Sequence, residues 1–62
     1  MKISIVGLGL IGGSIAQGLK SKHQITGCDP DKNTQDQATK SGINIALDLK
    51  TCVKEAELVI VA

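Results

Sequence analysis

The sequence predicts an α/β fold in which a parallel sheet is assembled through right-handed βαβ crossovers. Two observations carry that expectation. Segments with strand patterning alternate with segments of helical periodicity along the chain. In addition, Gly7, Gly9 and Gly12 fall between the first strand-like segment and the first helical one.

Lys2 to Val6 is rich in β-branched residues and is ended by Gly7, which suits a buried strand. Ile11, Ile15 and Leu19 then recur every four residues, with Leu8 and Ala16 beside the same stripe, so a helix is predicted from Leu10 to Ser21. Gly13 and Gly18 inside it each cost about 0.5–1 kcal/mol relative to alanine, which implies close approach of that helix to a strand or a ligand. Gln24 to Cys28 reads as a second strand, stopped by Asp29-Pro30 because proline lacks a ladder donor. Asp31 is placed to cap a helix from Lys32 to Ser41, with Gly42 as its C-terminal stop. Ala38 is the one apolar residue in that helix, so it is predicted to be solvated. Ile43 to Ala46 forms a short third strand. Asp48 caps a helical stretch from Leu49 to Glu55, and Leu58 to Ala62 is a last strand, apolar throughout as strands buried on both faces are.

Crossovers running in one direction place their helices on one face of the sheet, which leaves the other face without cover. The expected architecture is therefore Rossmann-type, and only the N-terminal part of a doubly wound domain. Residues 1–62 are expected to continue into the rest of that domain.

Composition narrows the function classes. Seven lysines and six acids leave a net charge of +1, and there are no aromatic residues. Neither an electrostatic footprint for nucleic acid or an anionic membrane nor a base-stacking platform is available. No apolar stretch approaches the length of a membrane span, and the glycines near the N-terminus do not fit a signal peptide. Cys28 and Cys52 are read as reduced packing residues of a cytoplasmic protein rather than zinc ligands.

Gly7-Leu8-Gly9-Leu10-Ile11-Gly12 is a G-x-G-x-x-G at the mouth of a helix. Gly7 allows the tight turn, Gly9 lets the backbone approach a pyrophosphate, and Gly12 lets the helix pack on the strand. The free N–H groups at the helix start, together with the positive end of its dipole, suit a diphosphate. Asp29, 17 residues after Gly12, stands where a carboxylate accepts hydrogen bonds from an adenosine ribose. An acid there favours NAD over NADP by repelling a 2′-phosphate, and the chain has no arginine to bind one. Lys32 could offer a single weaker contact. Asp29 also has a plain reading as the turn residue before Pro30.

Other candidates carry less. His23 is read as a solvated loop residue, and Ser14 is placed either to bond back into the first helical turn or to reach a phosphate. No nucleophile, base and orienting group can be assembled from these residues, so no catalytic residue is assigned.

The run Gly7-Leu8-Gly9-Leu10-Ile11-Gly12-Gly13-Ser14-Ile15-Ala16, preceded by Lys2-Ile3-Ser4-Ile5-Val6, resembles the amino terminus of prephenate and arogenate dehydrogenases. Asp29 and the closing Ala56-Glu57-Leu58-Val59-Ile60-Val61-Ala62 extend the likeness. The resemblance implies an oxidoreductase of tyrosine biosynthesis that oxidatively decarboxylates prephenate or arogenate with hydride passing to NAD or, less readily, NADP. It implies a homodimer formed by a helical domain, and a catalytic histidine and substrate-binding arginine outside this segment. Gly7, Gly9, Gly12 and Asp29 are the residues it carries over for the cofactor, with Leu8, Leu10 and Ile11 between them and Ala62 near the ribose or nicotinamide. Departures are a shorter loop at Lys22-His23 without the usual glycine, and a second helix poor in leucine. Alternatives with the same fingerprint are hydroxyacid, pyrroline-carboxylate and ketopantoate dehydrogenases, a non-catalytic NAD-sensing module of a potassium-transport regulator and, less well matched, a methyltransferase.

Overall fold

The computed structural model describes residues 1–62. Seven elements follow in chain order: β1 (Lys2–Val6), α1 (Leu10–Leu19), β2 (Gln24–Cys28), α2 (Lys32–Lys40), β3 (Asn44–Ile45), α3 (Leu49–Val53) and β4 (Leu58–Val61). The four strands form one parallel sheet in the order β3-β2-β1-β4. This is the Rossmann-like α/β arrangement that the alternation of patterns predicts.

Register decides which side chains share a face. Ile3 lies beside Ile25, and Ile5 lies between Gly27 and Ile60. Those residues face α1, where Ile3, Ile5, Leu8, Ala16, Ile25 and Ile43 form the main core. Ser4 and Val6 alternate to the opposite face, beside Thr26 and Cys28. There Cys28, Ala46 and Cys52 form a second, smaller cluster with Val6 and Val53 against it. The Ser4 hydroxyl, buried within that face, donates to the Cys52 carbonyl.

This second cluster corrects the expectation of an uncovered face. The crossovers through α1 and α2 step from β1 to β2 to β3, all in one direction. The chain then returns across β2 and β1 to reach β4, so the same handedness puts α3 on the other side. The five residues of this helix pack on β1 and β2.

Strand β4 differs from the reading in a related way. It pairs with β1 alone, so it is an edge strand, with Leu58 45%, Val59 42% and Val61 78% exposed. Helix α2 has no buried residue, as its composition predicts, and Asp31 caps it by accepting from the Thr34 amide at 3.2 Å. Gly42 takes φ +88° just after it.

Several boundaries contract. Helix α1 ends at Leu19 because the Lys22 and His23 amides both turn back to the Leu19 carbonyl. Helix α3 ends at Val53, where a turn brings the Ala56 amide to the Val53 carbonyl. The third strand holds only Asn44 and Ile45 against Thr26 and Gly27. The buried seam of α1 runs through Gly12 and Ala16, with Ile15 and Leu19 on its flanks, so Ile11 faces solvent at 72% exposure. Of the helix glycines, Gly12 makes the close approach; a β-carbon at Gly13 would meet only ordinary contact and one at Gly18 nothing. His23 is half-buried rather than solvated, and its Nδ1 has no hydrogen-bond partner.

Candidate functional site

The site begins where β1 ends. The Gly7 amide still donates to the Cys28 carbonyl at 2.9 Å, which holds the start of the loop against β2. Gly7 then takes φ +96°, and a β-carbon there would stand 2.7 Å from the Ala62 carbonyl oxygen. Glycine is required twice over, by backbone conformation and by space. Gly12 is required by space alone, since its β-carbon would lie 1.8 Å from the Gly7 carbonyl oxygen. Gly9 meets neither constraint. Its φ is −62°, and nothing lies within 4 Å of where a β-carbon would project.

Gly9 is also the N-cap of α1, and no side chain caps that end. Its carbonyl accepts from the Gly13 amide at 2.8 Å, the first bond of the helix. The amides of Leu10, Ile11 and Gly12 therefore precede the helical ladder and have no acceptor within it. Exposed Leu10 and Ile11 stand at the outer side of this turn, and Ala62 packs beneath it, its amide 2.9 Å from the Val6 carbonyl. The Ser14 hydroxyl donates to the Leu10 carbonyl at 2.9 Å, which is the first of its two readings.

Leu8 turns the other way. Its side chain is buried and lies over Gly27, where a β-carbon would be 2.7 Å from the Leu8 methyls. Gly27 thus seats the loop on β2, a role the sequence reading missed because a glycine inside a strand signals close approach without naming the partner. The Leu8 amide donates to Asp29 Oδ2 at 2.8 Å, while the Asp31 amide donates to Asp29 Oδ1 at 2.9 Å. Asp29 is therefore the turn residue before Pro30 and also a clasp between the end of β2 and the glycine loop. Each carboxylate oxygen accepts up to two hydrogen bonds, so both retain acceptor capacity. Gln35, on α2, donates through its side-chain amide to the Asp29 carbonyl and steadies the same turn.

Beside Gly9 a groove of about 680 Å³ opens between α1 and α2, with Ser14, Gln17, Thr34, Gln37 and Ser41 among its walls. No histidine, cysteine or acid lines it. Lys32 Nζ stands 3.5 Å from Asp36 Oδ1 on the outer side of α2. Behind Asp29, the Cys28 and Cys52 thiols are free and packed together, and burial pushes the Cys28 thiol up to about 11, with the neighbouring Cys52 adding to the effect.

A nucleotide diphosphate fits these residues. Unsatisfied amides and the helix dipole would face it, the open space at Gly9 has room for it, and the free lone pairs of Asp29 suit a ribose hydroxyl. Sheet order, glycine loop and carboxylate together define a Rossmann-like nucleotide-binding unit. The model of the family described as NADP oxidoreductase, coenzyme F420-dependent, matches residues 2–62, and the chain belongs to that family. It is an NAD(P)-binding oxidoreductase segment. No helix is long and apolar enough to cross a membrane.

Proposed function

We propose that residues 1–62 form the N-terminal portion of the cofactor domain of a prephenate or arogenate dehydrogenase, with NAD as the nucleotide. The observation that supports it is the division of labour among the glycines: Gly7 and Gly12 are demanded by the fold, while Gly9 is demanded by nothing inside the protein. Gly18 also has free space around it, but Gly9 stands at the uncapped start of α1 beside the groove, where a ligand's close approach would use the missing side chain. The filler residues of the motif, Leu8, Leu10, Ile11, Gly13 and Ser14, supply the narrower assignment through the resemblance.

In this reading the amides of Leu10, Ile11 and Gly12 hold the diphosphate, Asp29 accepts from the adenosine ribose, and Ala62 borders the path toward the nicotinamide. The chemistry supplied by the bound nicotinamide is acceptance of a hydride from the substrate. This chain's residues orient the nucleotide and keep its adenosine end fixed. Catalytic and substrate-reading groups belong to other parts of the protein, as does the helical domain that forms a homodimer. The two free thiols accord with a cytoplasmic setting.

The matching family's description favours a second reading, hydride exchange between NADP and coenzyme F420. One assay separates the two. Full-length protein is mixed with NAD or NADP and with prephenate, arogenate or reduced F420, and nicotinamide reduction is followed by absorbance. Turnover with prephenate or arogenate is the expected result; turnover with F420 alone selects the second reading, and none with any pair removes both.

A further inference from the structure

We infer that Cys28 and Cys52 are a redox pair: a small disulfide such as oxidised glutathione converts their two thiols into one bond that ties α3 to the end of β2. The pair lies outside the nucleotide site, since neither cysteine lines the groove between α1 and α2.

Two elements bring the thiols together. Cys28 ends β2 on the face away from α1, and Cys52 is the one buried residue of α3, which packs on that face. Cys52 Sγ donates to the Thr26 carbonyl at 3.9 Å. Thr26 and Cys28 are alternate residues of β2 and share a face, so Cys52 lies over the row that Cys28 occupies. Both thiols are free and pack in one cluster with Ala46. Burial raises the Cys28 thiol to about 11, and a hydrogen bond between the two thiols adds to the rise. A bond between them therefore joins sulfurs that are already neighbours. It fastens α3 to the strand end whose Cys28 carbonyl receives the Gly7 amide.

Burial protects the pair while α3 is seated. That helix is a slight cover: it has five residues, and Leu49, Lys50 and Thr51 are exposed. The Asp48 cap and the bond from the Ser4 hydroxyl to the Cys52 carbonyl hold it in place. Elements with so few buried contacts open locally, and opening α3 brings Cys52 to solvent while Cys28 stays in β2. The Cys52 thiol then gives its proton to water and its sulfur attacks the small disulfide, expelling one half as a thiolate that takes up a proton. The Cys28 sulfur, losing its proton in the same way, attacks the Cys52 sulfur and expels the other half as a second thiol. Two cysteine thiols are oxidised by two electrons, one small disulfide is reduced to two thiols, and no net proton is released.

Folded full-length protein is incubated with oxidised glutathione, quenched with an alkylating agent and mapped by peptide mass spectrometry, with circular dichroism to check the fold. The expected product is a peptide pair joined through Cys28 and Cys52. Cys28→Ala should instead accumulate glutathione on Cys52, because the second sulfur is missing. Ser4→Ala, which releases one tie on α3, should speed formation of the internal bond by about two- to tenfold. Both cysteines remaining alkylated as free thiols overturns the inference, as does glutathione retained on either one in the unaltered protein without an internal bond. An unchanged rate in Ser4→Ala overturns the opening of α3 as the route.

Discussion

At Gly9 a β-carbon meets no atom within 4 Å and φ is −62°, so Gly9→Val meets no clash at its β-carbon and costs α1 a poorer N-cap. Its thermal unfolding midpoint is expected to fall modestly, as a poorer N-cap implies, while NADH binding is lost, as circular dichroism and fluorescence titration would report. Gly7→Ala has the opposite outcome. Its φ of +96° costs a residue with a β-carbon on the order of 1–3 kcal/mol, before the contact with the Ala62 carbonyl is counted. If Gly9→Val bound NADH normally, the ligand explanation for that glycine would be lost. Cys28 supports a prediction of another kind. Its folded pKa is raised, from 9.0 to about 11, so the stability it contributes is complete below pH 9 and is lost as pH climbs toward 11. Urea midpoints measured at pH 8 and pH 10.5 should fall for the parent and fall less for Cys28→Ala.

Among the elements, the strands were most legible. Lys2–Val6 and Gln24–Cys28 begin and end where their β-branched runs and their Gly7 and Asp29-Pro30 stops say they should. Capping was legible as well, because Asp31 and Asp48 act within their own helical turns; hydrogen bonds from Thr51 hold the Asp48 carboxyl below its usual range. The face taken by α3 was not. It depends on β4 lying beside β1 rather than beyond β3, and strand order is a long-range property that no local pattern encodes. The motif glycines and Asp29 could be picked out from spacing, whereas the clasp from Asp29 to the Leu8 amide joins residues 21 positions apart and appears only once β1 and β2 are paired. Gly18 gives the element-scale prediction. No atom stands within 4 Å of its β-carbon position, so Gly18→Ala should raise stability by about 0.5–1 kcal/mol, read as a shift in denaturant midpoint without a change in slope. A fall in the midpoint would mean that α1 meets a neighbour there.

For the molecule as a whole, the important asymmetry lies across the sheet. Strand β1 is buried on both sides, with Ile3, Ser4 and Ile5 each at most 3% exposed, while β4 presents an apolar edge. An open edge of this kind pairs readily with another strand. Residues 1–62 produced alone are expected to self-associate at high concentration, and Val61→Lys should reduce that association in light scattering. Equal scattering from both proteins would show that the edge is not the adhesive surface.

The position of β1 has a consequence for the timing of synthesis. It leaves the ribosome before the strands it pairs with, and both other long strands need it. Yet its neighbours are residues 24–28 and 58–61, so Ile3 must wait for Leu58, 55 residues later, before its second ladder can form. Contacts this distant in sequence are slow to close. The nascent glycine loop therefore lacks the Ala62 contact that shapes it throughout synthesis of residues 1–61, and the nucleotide seat is among the last parts of this segment to be completed.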